Sequence, residues 1–339
     1  MIQANTELLP APEMTDTEIT DTAVPVRLRG LVRVPCPLCN CATSRPETVI
    51  AGYSLEKCND CGLIYMNPRC TADHLADIYT VRDEDSLIEL YSRIASPSVL
   101  EDYNQKLAKI ERMVPGKGRF LDFACAAGYL FEEAQKRGWD AHGCDVGEWT
   151  GRAAEKRHLQ NMHVGDFDDL NFPDNHFDVV YASQVFEHLL YPLEDLARLK
   201  RVLKPGGLLY IEVPNYNTLP IRFGKDDFML NEPPQHINYF TPTTLRKVLT
   251  DGGMERITMT SCGGLKWENL LGRPIISDVA AAYGLVDDRS GTASRPSLLS
   301  RCPSTAKQLA KSTVIEPLLY NGAKIGMNLL AYSRKPSHV

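Results

Sequence analysis

The chain of 339 residues has no excess of positive charge, with 37 Lys and Arg against 43 Asp and Glu and a net charge of −6. Nucleic-acid backbones are held by clustered cations, and the sequence contains no basic block, so nucleic acid is not an expected partner. It also lacks any run of the roughly 18–20 apolar residues that a membrane span requires. The opening stretch, MIQANTELLPAPEMTDTEITD, has neither the charged region nor the apolar core of a secretory signal. A soluble cytoplasmic protein is the resulting expectation. Also missing is a G-x-G-x-x-G run, the phosphate-binding signature of nicotinamide dinucleotide sites.

What is present begins with cysteine. Ten cysteines would be unusual as disulfides in a reducing compartment. Four of them form two close pairs, Cys36 with Cys39 in CPLC and Cys58 with Cys61 in CNDC, separated by 18 residues. That spacing matches a zinc site, and four thiolates close a tetrahedral shell with no open position, so the expected Zn²⁺ is structural and not catalytic. Pro37, Asn40, Asn59 and Gly62 supply turns. Cys41 competes with Cys39 as a ligand, but the paired spacing favours Cys39. Arg33, Arg45, Lys57 and Arg69 are the nearby cations, a thin set for nucleic acid. Residues 1–33, rich in Thr, Asp, Glu and Pro, read as a mobile arm, and residues 34–82 as a zinc ribbon.

The stretch RFLDFACAAGYLFEEAQKRGWDAHGCD, Arg119 to Asp145, reads as strand, small-residue loop, amphipathic helix and second strand. This is half of a nucleotide-binding α/β unit. Small residues at Ala124, Ala126 and Gly128 let backbone N–H groups approach a ligand at a helix N-terminus. Asp145, followed by Val146, ends the next strand, where an acid accepts hydrogen bonds from ribose hydroxyls. Asp122 would sit poorly beside a pyrophosphate and well beside a cationic amino acid. S-adenosylmethionine has that cation and no phosphate. Alanine at 124 and 126 disfavours the positive φ that glycine would allow there.

A third strand ends at Gly165, which places Asp166 and Phe167 to meet adenine through its amino group and its ring. A fourth, Phe177 to Val185, carries Ser183 and Gln184 near its end, with Glu187-His188 just beyond. Three acids, Asp122, Asp145 and Asp166, thus stand at three successive strand ends, where ligands bind on open α/β sheets. Helical patterns run from Asp83 to Val114, carrying Tyr91 and Tyr103, and from Pro192 to a stop at Pro205-Gly206-Gly207, before the strand LLYIEVPN. The expected fold is α/β, a Rossmann-like sheet with the N-terminal ribbon and a lid or insert before the last strand.

The loop resembles motif I of the class I S-adenosylmethionine-dependent methyltransferases. The ribbon, continuing into GLIYMNPR and HLADIY, looks like those that precede the methyltransferase domain in bacterial small-molecule enzymes, including deoxysugar C-methyltransferases. The resemblance implies that Ser183 and Gln184 face the methionine part of the cofactor, that the ribbon roofs the substrate site, and that NLLAYSRK forms a seventh, antiparallel strand. It also implies a base: PPQHINYFTP matches a phrase whose His serves in proton transfer, which assigns His236, with His188 as a second candidate. Pro233 and Gln235 stand where the related enzymes have Tyr and Glu. The resulting division is 34–82 ribbon, 83–262 cofactor-binding domain, 263–327 lid or oligomerisation insert, and 328–339 final strand and tail. Expected partners are a small-molecule acceptor, in bacterial natural-product or sugar metabolism, and a second copy of the chain in a homodimer. The competing readings are a degenerate methyltransferase fold that binds a partner and a nicotinamide-dependent dehydrogenase.

Overall fold

A computed structural model describes residues 30–73, 75, 83–218, 221, 233–262 and 327–337. Of the arm expected over 1–33, residues 1–29 lie outside the described residues, as do 219–220, 222–232 and residues 263–326 of the lid or oligomerisation insert expected over 263–327.

The ribbon comes first in the chain, as β1 (Leu31–Val32), β2 (Ser44–Ile50), β3 (Tyr53–Cys58), β4 (Ile64–Met66) and β5 (Arg69–Cys70). Two helices follow, α1 (Glu84–Ile94) and α2 (Pro97–Met113). The single helical pattern expected over Asp83 to Val114 is thus two helices. Pro97 cannot donate an N–H and restricts Ser96 before it, so the first helix stops and the second begins with Pro in its first turn.

The wound part is β6 (Arg119–Phe123), α3 (Tyr129–Lys136), β7 (Asp140–Asp145), α4 (Glu148–Lys156), β8 (Met162–Val164), β9 (Phe177–Ser183), α5 (Pro192–Val202) and β10 (Leu203–Pro214). It closes with β11 (Asn238–Tyr239), α6 (Pro242–Asp251), β12 (Glu255–Cys262) and β13 (Asn328–Arg334). Seven strands form one sheet in the order β12-β13-β10-β9-β6-β7-β8, with β13 antiparallel to both neighbours. The antiparallel final strand agrees with expectation. The fourth strand stops two residues early, at Ser183, and α5 ends at Val202 rather than at the Pro-Gly-Gly turn. Leu203 already pairs with Phe177, and the Lys204 to Gly207 stretch is absorbed as an irregularity before pairing resumes at Leu208.

Both faces of the sheet are covered, which is why its central strands β9 and β10 are mostly apolar. On one face Val179, Tyr181, Leu208, Tyr210 and Tyr332 pack with Leu107 and Ile110 of α2 and Leu130 and Phe131 of α3. On the other, Leu121, Val180, Ala182, Leu209 and Ile211 meet Leu196 and Leu199 of α5 and Leu245 and Val248 of α6. Leu38, Leu63 and Tyr65 of the ribbon belong to that same second cluster. The ribbon is therefore packed on the wound sheet. A further tie comes from β11, which pairs with β4 (Asn238 with Tyr65, Tyr239 with Ile64) and so completes a four-stranded sheet with β2 and β3.

Candidate functional site

The carboxyl edge of the parallel strands gathers the residues picked out from sequence. Between β6 and α3 the chain turns through Ala124 at φ 55° and Ala126 at φ 49°, both left-handed, and Gly128 at φ 78°. Gly128 has a second requirement: a Cβ there would lie 2.3 Å from a ring carbon of Phe131. The loop is tied down by its own amides, with Cys125 N–H donating to Cys144 O at 3.0 Å and Ala126 N–H to Asp145 Oδ2 at 2.9 Å. The alanines thus take the glycine-like shape despite their Cβ atoms, which costs about 1–2 kcal/mol per residue. Ala126→Gly should remove that strain at the cost of about 0.4–1 kcal/mol of extra unfolded-chain entropy. The expected net is a stabilisation of about 0.5–1 kcal/mol, read from urea denaturation; a destabilised variant would show that the alanine is not strained.

Asp122 lies inside β6, 5 % exposed, and burial together with the neighbouring Asp145 charge holds its carboxyl well above the usual range. Asp145 is also pushed up by burial, while N–H groups of Gly147, Ala126 and Val146 pull it down. Its Oδ1 accepts from Gly147 N–H at 2.9 Å. Val146 beside it is an apolar side chain left 73 % exposed. Asp166 is exposed, its Oδ1 accepting from Asp168 N–H at 3.0 Å. Phe167 is placed differently from its expected ring contact: it is buried edge-on against Phe123 with centroids 5.2 Å apart and packs on Phe172. Ser183 is half-buried, and Gln184 is exposed in a left-handed conformation, φ 56°, its N–H donating to Glu212 O at 2.8 Å. Tyr91 packs on Trp149 at 5.0 Å, and burial raises the Tyr103 hydroxyl to about 12, with the Asp122 charge adding to the shift.

Sequence reading missed Lys106 and Glu212. Lys106 Nζ of α2 lies 2.7 Å from Glu212 Oε2 of β10, which also accepts from Tyr210 Oη at 2.7 Å, while Glu212 Oε1 accepts from Asn328 Nδ2 at 3.0 Å. Ser183 Oγ reaches the same carboxylate at 3.4 Å. A lone Glu in an otherwise apolar strand was the available signal, because a buried charge needs a partner. That ion pair fixes α2 over the edge where Ser183 and Asp122 stand.

Beyond β9 the chain bends through Glu187 and His188, and the segment 235–239 is laced onto it. Ile237 N–H and Asn238 N–H donate to Glu187 O at 2.9 and 3.0 Å, and Asn238 Nδ2 donates to Leu189 O at 2.7 Å. His188 Nδ1 lies 3.0 Å from Gln235 O, and its ring meets that of His236 at 4.7 Å. The two candidate histidines, 48 positions apart in sequence, are thereby brought together at the seam between ribbon and wound sheet. Burial pushes the His188 imidazole down to about 4, so the ring is neutral near pH 7.

In the ribbon, the side chains of Cys36, Cys39, Cys58 and Cys61 offer four sulfurs within 4.8 Å of one another. Cys36 Sγ to Cys61 Sγ is 3.5 Å and Cys39 Sγ to Cys58 Sγ is 3.4 Å. Zn–S bonds of about 2.3 Å set tetrahedral sulfur–sulfur edges near 3.8 Å, so the set fits such an ion with small adjustments. Cys41 instead turns to Thr43, with Sγ 3.5 Å from its carbonyl oxygen.

Residues 98–258 match the profile of a family described as "Methyltransferase domain". A "Ubiquinone biosynthesis O-methyltransferase" of Bradyrhizobium sp. is 28% identical over 184 residues, which are 50% of this chain and 71% of that protein. A protein of the same name from Roseobacter denitrificans is 29% identical over 168 residues, 46% of this chain and 66% of its own length. Among solved structures, a SAM-dependent methyltransferase from Archaeoglobus fulgidus superposes with a TM-score of 0.44 at 18% identity, covering 69% of this chain and 94% of that one.

Proposed function

We propose that this chain, which carries a class I S-adenosylmethionine-dependent methyltransferase domain, methylates a small-molecule acceptor held between the carboxyl edge of its sheet and the ribbon. The observation that carries this reading is the meeting of His188 and His236 at that seam, beside the strand end where Ser183 and Gln184 stand.

The cofactor supplies an activated methyl group on a sulfonium, so the protein's tasks are to bind, align, exclude water and dispose of a proton. Asp122 meets the cationic amino-acid end, with Ala124, Ala126 and Gly128 letting the backbone approach. Asp145 takes the ribose hydroxyls, Val146 borders the adenine, Asp166 accepts from its amino group, and Ser183 and Gln184 face the methionine chain. The acceptor's lone pair forms the new bond to the methyl carbon while the carbon–sulfur pair returns to sulfur, and the acceptor's proton leaves at the His188–His236 cluster. The strongly lowered His188 is a poor base, which leaves His236 as the ring suited to that transfer. An oxygen acceptor is favoured because the similar curated proteins are named for O-methylation. Bacterial natural-product or sugar metabolism is the setting that the ribbon's resemblance suggests. The four cysteines hold a structural Zn²⁺ that fixes the ribbon over the acceptor.

A methyl-transfer screen over hydroxylated aromatic and sugar acceptors, read by product mass, tests this. No methylated product from any acceptor, together with no binding of S-adenosylmethionine, would leave the partner-binding alternative ahead.

The buried acid adds a pH signature. Without ligand, Asp122 is held protonated above the usual carboxylate range, and a bound ammonium favours its charged form. Binding therefore expels a proton wherever the ligand-free carboxyl is still protonated. Affinity should rise with pH from the ordinary carboxylate range up to the raised value, by up to about tenfold per unit, then level off. For folding the sign is opposite: a raised carboxyl stabilises the ligand-free protein at low pH and loses that contribution as pH rises through its folded value. Calorimetry across pH in two buffers of different ionisation enthalpy reads the proton release. Asp122→Asn should flatten the profile, and an unchanged slope would assign the proton elsewhere.

A further inference from the structure

Three side chains at the seam carry more than a base requires. One ligand atom each from Glu187, His188 and His236 lies within 4.8 Å of the other two. Glu187 is 1 % exposed and His236 8 %, so carboxylate and imidazole converge out of bulk water. His188 Nε2 stands 3.9 Å from Glu187 Oε1. Because the Gln235 carbonyl 3.0 Å from His188 Nδ1 can only accept, the proton sits on Nδ1 and Nε2, 3.9 Å from Glu187 Oε1, carries the lone pair. A metal-bound imidazole commonly has its second nitrogen fixed in this way by a carbonyl.

From this geometry we infer that Glu187, His188 and His236 bind a divalent first-row transition cation at the acceptor site. Two imidazoles and one carboxylate are a donor set for such ions, and three protein ligands leave coordination positions open. Bonds of about 2.0–2.2 Å place ligand atoms roughly 3–4 Å apart, so the three groups close by about an ångström around the ion. The backbone around them is already held. Glu187 O accepts from Ile237 and Asn238 N–H, and Tyr239 Oη donates to His236 O at 2.9 Å.

The inference rests on the proposed placement of the acceptor, and it names that acceptor's class: an oxygen compound able to ligate a cation, such as a phenol or enol with a neighbouring oxygen. The cation lowers the pKa of the bound hydroxyl, whose proton passes to solvent. The oxygen lone pair then forms the bond to the methyl carbon as the carbon–sulfur pair returns to sulfur. His236 in this arrangement holds the ion and is not itself the base. Charge and atoms balance without any further reactant.

Manganese(II) is the probe, because it favours nitrogen and oxygen donors and competes poorly for the four ribbon thiolates. Full-length, zinc-loaded protein is titrated with Mn²⁺, and the free ion is followed by its six-line electron paramagnetic resonance signal. One Mn²⁺ per chain should bind. Loss of a partner beyond the ligand shell costs about 10–100-fold in metal affinity, so Glu187→Gln and His236→Ala should each lose about 100-fold or more. Binding by wild type no tighter than by Glu187→Gln, with both variants folded by circular dichroism, would overturn the inference. S-adenosylmethionine affinity is measured on the same samples. If it is intact while Mn²⁺ does not bind, only the metal fails and His236 returns as the base; if it is absent in wild type, the underlying functional reading fails as well.

Discussion

Asp145→Ala is expected to weaken S-adenosylmethionine binding by about 10²–10³-fold, measured by titration calorimetry. An ionised carboxylate has about four acceptor positions. In this protein two are taken by Ala126 N–H at Oδ2 and Gly147 N–H at Oδ1, each at 2.9 Å. One remains on each oxygen, the number that two ribose hydroxyls require. Hydrogen bonds to charged groups contribute about 1.5–3 kcal/mol each, and losing two at the lower end of that range removes about 3–4 kcal/mol of binding. The two backbone bonds, from Ala126 and Gly147, are lost too, so the variant should also be less stable by about 1–3 kcal/mol. Asp145→Asn keeps one acceptor oxygen and should fall between. Binding by Asp145→Ala within about threefold of wild type would remove this residue from the cofactor site.

Cys58→Ser should cost more in stability than any other single change considered. Structural zinc contributes apparent binding energies of about 10–16 kcal/mol in isolated fingers, and one lost thiolate forfeits part of that. The ribbon is not independent of the rest: Cys58, Leu63 and Tyr65 share a buried cluster with Phe186, Leu245 and Val248. A loss of about 3–5 kcal/mol would lower the melting temperature by roughly 10 °C. Zinc content should fall below one equivalent. Because β11 next to His236 pairs with β4, methyl transfer should drop by at least about 10²-fold while S-adenosylmethionine affinity stays within a few-fold of wild type. Full zinc occupancy with an unshifted melting temperature would contradict the zinc assignment.

These expectations also show what the sequence could carry. Strand ends were readable where apolar runs stop at a small or acidic residue, as at Phe123 and Asp145. Local pattern also carried the C-x2-C pairs of the ribbon. Pairings between distant segments were not readable. Nothing periodic says that Asn238 and Tyr239 extend the ribbon's sheet, or that Lys106 reaches Glu212, because each depends on the packed fold and not on neighbours in sequence. The Phe167 ring was misplaced for a similar reason. An aromatic at a strand end can face the crevice or the core, and Phe123 and Phe172 offer it a better-packed alternative. The two loop alanines were the main support for a degenerate, partner-binding fold, yet Ala124 and Ala126 adopt the left-handed conformation that glycine would supply.

The central claim is that the acid-lined edge of the sheet holds a cationic sulfonium nucleoside. Calorimetric titration of the full-length protein with S-adenosylmethionine, S-adenosylhomocysteine and NAD tests it most directly. The account predicts one site that takes both sulfur ligands and no heat from NAD. Saturable binding of NAD, or binding of neither sulfur ligand by folded protein, would contradict it.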